Sequence, residues 1–190
     1  MKTLWKSLVQ PRLDYCSQLW SPSDQESINR LESVQRHFTS KVTEIKDLDY
    51  WDRLKKLQLY SQERRRERYL IIFLWKLSQG MIQGYNVTFS YSDRRGRSVI
   101  PRPVVRDSPS AVRQARESSL SVKGAKLFNL LPDCIRNINT DHVDTFKTNL
   151  DAFLSEVPDQ PTVPGHSRTA ETNSLLHNMI DIVENFYIKE

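Results

Sequence analysis

Apolar residues over the first eighty positions recur three and four apart, the spacing of one helical face. Leu4, Leu8, Leu13, Tyr15, Cys16, Leu19 and Trp20 predict a first helical stretch, which Pro11 kinks or restarts. Ser21-Pro22-Ser23-Asp24 breaks the chain and caps a second helix, in which Ile28, Leu31, Val34, Gln35 and Phe38 keep the spacing to about Val42. Tyr50, Trp51, Leu54, Leu57 and Leu59 predict a short third helix. Ser61 caps a fourth that runs to about Gln79, with Gly80 as its stop. From Tyr69 to Leu77 this fourth helix is apolar nearly all round, which makes it the central buried element.

Past Gly80 the period changes from helical to alternating. Val87, Phe89 and Tyr91 alternate with Thr88, Ser90 and Ser92, a strand signature over Tyr85–Ser92. Asp93-Arg94-Arg95-Gly96 turns the chain and Ser98–Val105 returns, Pro101 and Pro103 confining the return to an edge strand or irregular structure. Asp107–Ser119 reads as a loop. Val122–Leu131 is a short helix ended by Pro132, and a further helix spans about His142–Glu156, with Thr140 or Asp141 as cap and Phe146, Leu150, Phe153 and Leu154 on one face. Pro158, Pro161, Pro164 and Gly165 form a linker to a tail whose Leu175, Leu176, Met179, Ile180, Ile182, Val183 and Phe186 suggest a last helix without a neighbouring apolar partner. The expected fold is therefore mainly α: a helical bundle over residues 1–80, a basic hairpin and loop over 81–120, two further helices over 121–158, and a linker with a loosely attached C-terminal helix over 159–190, outside the core.

Charge sharpens this division. Residues 1–50 hold 7 Lys/Arg and 7 Asp/Glu, residues 51–126 hold 17 and 6, and residues 127–190 hold 4 and 10. A basic centre points to a polyanionic partner, unless the acidic end folds back and neutralises it. Cys16 and Cys134 do not make a disulfide framework, and their apolar neighbours predict buried free thiols. Met1–Gln10 carries no sustained apolar run, and Tyr69–Trp75, the longest apolar stretch, is far too short to cross a bilayer. A soluble protein in a reducing compartment, nuclear or cytoplasmic and with no membrane partner, is the expectation.

Candidate chemistry is sparse. His37, His142, His166 and His177 are scattered, with no His or Cys at ligand spacing, so neither a metal nor another cofactor is expected. His142 and Asp144 fall in the first turn of a helix, where a carboxylate favours the dipole. Glu44, Asp47 and Asp49 read as a solvated loop between helices. No phosphate-cradling glycine loop and no nucleophile elbow occur. The sharpest feature is Glu63-Arg64-Arg65-Arg66-Glu67-Arg68. On a helix Arg64 and Arg68 share a face while Arg65 and Arg66 point elsewhere, and four arginines are hard to bury together. The stripe then grips phosphates through planar guanidinium forks. The competing reading pairs Arg64 with Glu67 and Glu63 with Arg66 along a salt-bridged helix start. Trp75 and Tyr91 are rings able to stack on bases, although Trp75 suits a core position.

Several segments resemble, in order and spacing, the chain that follows the polymerase palm in reverse transcriptases of non-LTR, LINE-type retrotransposons. They begin with Pro11-Arg12-Leu13-Asp14-Tyr15-Cys16-Ser17-Gln18-Leu19-Trp20-Ser21-Pro22 and Leu31-Glu32-Ser33-Val34-Gln35-Arg36. Tyr50, Arg53, Leu54, Leu57 and Leu59 follow, running into Ser61–Arg66, and then Asp93-Arg94-Arg95-Gly96-Arg97. Val122-Lys123-Gly124 comes next with Leu127-Phe128-Asn129, Leu131 and Pro132, and last Phe146-Lys147 with Leu150, Asp151 and Phe153-Leu154. Each motif alone is weak; the order carries the resemblance, which spans residues 5–158. Ala125 stands where the family pattern has proline. The resemblance implies thumb-like helices and the region after them, as a fragment of an RNA-directed DNA polymerase. The family's metal-binding motif is aromatic-Ala-Asp-Asp, and no Asp-Asp pair occurs in this chain, so no catalytic residue carries over. What it implies instead is contact with RNA or an RNA–DNA hybrid through phosphates, without sequence preference, by Arg64, Arg65, Arg68, Arg94, Arg95 and Arg97. Alternatives are a protein-interaction module packing on an upstream polymerase palm, and an inactive genomic remnant.

Overall fold

The computed structural model describes residues 2–84, 89–92, 96–99, 109–161 and 173–178, and these are mainly helical. The chain begins with α1 (Lys2–Leu4), a π turn (Trp5–Val9), α2 (Gln10–Asp14) and α3 (Ser17–Trp20), followed by α4 (Gln25–Ser40), α5 (Tyr50–Leu57) and α6 (Gln62–Ser78). The strands β1 (Phe89–Ser92) and β2 (Gly96–Val99) come next, and then α7 (Ser110–Glu117), α8 (Ala125–Asn129), α9 (Asp133–Arg136), α10 (Val143–Glu156) and α11 (Leu175–Asn178). Among the described residues no helix is long and apolar enough to cross a membrane. The chain forms two compact units, Met1–Arg66 with Asp159–Ser174 and Glu67–Pro158 with Leu175–Glu190. Their boundary falls inside α6.

In the first unit, Pro11 shapes the opening helices. Its ring cannot accept a regular α turn before it, and the chain widens into the π turn, where the Gln10 N–H reaches the Trp5 carbonyl five residues back. Cys16 then takes a left-handed conformation, φ 50°, which turns the chain into α3. Asp24 caps α4 by accepting from Ser27 N at 2.8 Å, as its position suggests. The buried face of α4 keeps Gln35 of the expected set but differs from it otherwise: Glu32 and Thr39 are buried, while Val34 is exposed. Glu32 and Gln35 are drawn inward by the start of α6 and its approach: Glu32 accepts from Gln62 N at 2.8 Å, and Gln35 accepts from the Gln62 side chain while its own Nε2 donates to the Tyr60 carbonyl at 2.9 Å. Trp5 packs on Phe38 with ring centroids 4.8 Å apart, and Arg36 and Arg53 lie over the Tyr50 ring.

In the second unit, Leu70, Ile71, Ile72, Leu74, Trp75 and Leu77 of α6 are all buried, as the continuous apolar run requires. Trp75 stacks on Phe146 at 4.5 Å with planes 8° apart, and its indole N–H donates to the Ile138 carbonyl at 3.1 Å, so it is a core residue. Gly124 admits Leu74: a Cβ there would stand 3.0 Å from Leu74 Cδ1. Gly80, φ 68°, ends α6, and the Met81 N–H reaches back to the Lys76 carbonyl at 3.0 Å. The expected hairpin is present as an antiparallel β1–β2 pair, Phe89 opposite Val99 and Ser92 opposite Gly96; the rest of both expected strands and Asp93–Arg95 of the turn lie outside the described residues. The Asn129 side chain continues the ladder, accepting from Val99 N and donating to Val99 O, each at 2.8 Å.

Three local expectations are corrected. Ser110–Glu117 is a helix rather than a loop, because Ala111, Gln114, Ala115 and the arginines are good helix formers and Pro109 starts it. Cys16 and Cys134 are exposed, one at the left-handed turn and one on the outer side of α9, whose Ile135 and Arg136 face inward. The C-terminal stretch is not wholly outside the core: Asn173, Ser174 and Leu175 are buried. In the first unit Asn173 N donates to Glu63 at 2.9 Å, and in the second Leu175 N donates to Glu67 at 2.7 Å. These carboxylates need donors, and that need orders the segment. Residues 179–190 of the expected tail helix lie outside the described residues.

A chain ending at Pro161 lacks both N–H donors. A buried acceptor left short of a partner costs about 1–3 kcal/mol, so truncation should lower Tm by several degrees. An unchanged melting curve would contradict this packing.

Candidate nucleic-acid interface

The first two turns of α6 concentrate the polar residues that the sequence singles out. Gln, Glu and Arg are good helix formers, and Ser61 Oγ caps the helix by accepting from Arg64 N at 3.2 Å. Two carboxylates from elsewhere in the first unit complete the cap. Glu32 Oε2 accepts from Gln62 N at 2.8 Å, and Asp159 accepts from Ser61 N at 2.8 Å and from Ser61 Oγ at 2.7 Å. Negative charge is favoured at this end of a helix.

The arginines then radiate from the helix at about 100° per residue. Arg64 is fully buried, 0% exposed, with Asp159 at 3.9 Å. Arg65 makes a fork to Asp14, Nε to Oδ2 at 2.9 Å and Nη2 to Oδ2 at 2.7 Å. Arg66 donates to the Leu13 carbonyl at 2.8 Å and to Ser21 Oγ at 3.2 Å, and its guanidinium lies 4.0 Å from the centre of the Trp20 ring. Burial pulls the Arg66 pKa below its ordinary value, while Asp14 and Glu32 push it back up. In the second unit Arg68 forks onto Asp151 at 2.5 and 2.6 Å, and Lys123 reaches Glu67 at 2.8 Å.

Two of the four arginines are buried, Arg64 and Arg66, while Arg65 and Arg68 are half-buried, so the four are not buried together, as expected; each is nonetheless engaged. Consecutive helical positions face different segments, and each segment brings its own carboxylate or carbonyl oxygen. Asp151 and Asp159 come from the acidic end of the chain, which does fold back. Arg64, Arg65 and Arg68 hold the fold. Arg97 stands on β2 opposite Tyr91, and Arg94 and Arg95 lie outside the described residues. What sequence reasoning missed is α7. It has no buried residue, and Arg113 and Arg116, three apart, share a face. Alanine-rich spacing after Pro109 was the available signal. Among the described residues, no group of three or more His, Cys, Asp and Glu is placed to hold a metal ion.

Glu32 is a strongly perturbed acid of the site. Burial pushes its carboxyl up from 4.5 to about 7, against the hydrogen bonds from Tyr50 Oη and Gln62 N; nearby Asp159 and Glu63 push it the same way as burial. The Tyr50 hydroxyl is pushed up as well, by burial first and by Glu32 second. Comparison with protein-family models, characterised proteins and solved structures finds no match to this chain.

Two expectations follow from this geometry. Arg66→Lys removes the planar fork and the Trp20 stack, and should cost about 1–3 kcal/mol of stability, read by denaturant unfolding together with a change in Trp fluorescence. Full stability would contradict the clamp. For Glu32 the folded-state pKa lies above the unfolded one, so its contribution is fully present below 4.5 and is lost as pH rises through about 7. The loss is on the order of 3 kcal/mol. Glu32→Gln should flatten the fall in stability from about pH 5 to about pH 8; an unchanged pH profile would rule Glu32 out as its source.

Proposed function

We propose that this chain is a non-catalytic accessory region of a reverse transcriptase of the non-LTR retrotransposon kind, and that it contacts the backbone of RNA or an RNA–DNA hybrid without reading sequence. The resemblance of residues 5–158 supplies the context. The observation that carries the contact is α7: a helix exposed along its whole length, presenting Arg113 and Arg116 directly after a stretch of sequence that holds Arg94, Arg95, Arg97, Arg102 and Arg106. Of the arginines to which the sequence reading gives a phosphate-binding role, Arg94, Arg95 and Arg97 keep it in this proposal, and Arg113 and Arg116 join them in place of Arg64, Arg65 and Arg68. Arginine suits it because one planar fork donates two parallel hydrogen bonds to a phosphate. An accessory region that follows a moving template needs backbone contact and not base-edge contact.

The test is fluorescence anisotropy of a labelled RNA–DNA hybrid over a salt series. The intact chain should bind at about 50 mM salt, with log affinity falling by about 0.9 for each phosphate neutralised. Arg113→Glu with Arg116→Glu should flatten that slope by about 2 and leave helicity unchanged. Absence of salt-sensitive binding by the intact chain, or a slope untouched by the two substitutions, would contradict the proposal.

A further inference from the structure

The first twenty residues present an apolar face that the protein leaves in solvent. Leu4 is 52% exposed, Leu8 61%, Tyr15 76% and Leu19 79%. Large apolar side chains left exposed this close together along one segment mark an interaction surface. The backbone holds them out. In a regular helix Leu8 would follow Trp5 onto the core side, three residues on. The π turn replaces that spacing with one of five, so the buried pair is Trp5 and Gln10, and Leu4 and Leu8 stay outside. The left-handed Cys16 does the same for the second limb, where Tyr15 and Leu19 point outward and Ser17 is buried. Two departures from regular helix within one short segment fit a surface shaped for contact.

Charge identifies the occupant. The cations of residues 2–22 are Lys2, Lys6 and Arg12, with Lys6 and Arg12 exposed, and the one acid, Asp14, is engaged by Arg65. Within residues 2–22, then, exposed apolar side chains alternate along the chain with exposed cations, and the one acid is already paired. We infer that this segment docks a protein surface of the opposite pattern: an apolar stripe flanked by carboxylates, of the kind an acidic amphipathic helix presents. A second copy of this chain would set two cationic segments against each other. A bilayer surface favours one long apolar helix face, whereas here the apolar residues stand on separate limbs of three to five residues. Nucleic acid has no use for Leu4, Leu8 and Leu19. This inference does not depend on the nucleic-acid reading.

The probe is a synthetic amphipathic helical peptide with a leucine stripe flanked by glutamates, and its control has lysines in place of the glutamates. Anisotropy of the labelled peptides is measured against the full chain. The acidic peptide should bind and the basic one should not. Leu8→Asp with Leu19→Asp, both at exposed positions, should weaken binding at least about tenfold, the loss of one interfacial anchor, with an unchanged circular dichroism spectrum. Lys2→Glu, Lys6→Glu and Arg12→Glu together should reverse the preference to the basic peptide. Failure of the acidic peptide to bind, equal binding of the two peptides, or indifference to the leucine substitutions would overturn the inference. So would a dimer in sedimentation that Leu8→Asp dissolves, or binding to phosphatidylserine vesicles that Leu8→Asp abolishes, since these assign the face to a second copy or to lipid.

Discussion

Everything at the start of α6 depends on one constraint: charged side chains taken out of water must be neutralised where they stand. An ion moved into a protein interior loses several kcal/mol of hydration, and only close, well-aligned partners offset it. Arg64, Arg66, Glu63 and Glu67 are all buried, so their surroundings are fixed by that requirement. Asp159 must lie against Ser61 and Arg64, Asn173 against Glu63, and the Leu13–Ser21 stretch against Arg66. In the second unit, Leu175 N and Lys123 answer Glu67, and Asp151 answers Arg68.

This constraint explains why the segment around Pro11–Pro22 carries the residues it does. Asp14 is there for Arg65, the Leu13 carbonyl and Ser21 for Arg66, and Trp20 as the ring on which Arg66 lies. Tyr15 and Leu19, interleaved with them, face solvent. The polar positions of the stretch thus tie it to α6, and the apolar ones are left for an outside surface. This reverses the usual division between an apolar inner face and a polar outer one. Buried ion pairs add little net stability, but they make alternative packings costly, and so they suit a segment that must present a defined face.

The spans of α4, α5, α6 and α10 were legible in the sequence because caps and stops are local chemistry, whereas α7 was not. Asp24, Ser61, Gly80 and Pro132 mark real boundaries. The central apolar run Tyr69–Leu77 gave the core position of Trp75 correctly. Which face each helix buries was less legible. Val34 matched the apolar period of α4 but is exposed, because Glu32 and Gln35 are called inward by α6. The partners of the arginines were not legible for the same reason: Asp14, Asp151 and Asp159 lie 51, 83 and 95 residues away, and no local pattern reports them. Leu8 was misplaced by a π turn that periodicity cannot anticipate. The proposed nucleic-acid contact was legible only as a region of charge; the exposed arginines of α7 are not the ones whose clustering stands out in the sequence.

The central claim is that the α6 arginines serve the fold through specific acidic partners. It is tested most directly by a double-mutant cycle on Asp14 and Arg65, using Asp14→Ala, Arg65→Ala and the double substitution, each followed by denaturant unfolding. The account predicts a favourable coupling of at least about 1 kcal/mol between the two positions. Additive losses within about 0.5 kcal/mol would contradict it and return Arg65 to the solvent-facing, phosphate-binding role that the sequence alone suggests.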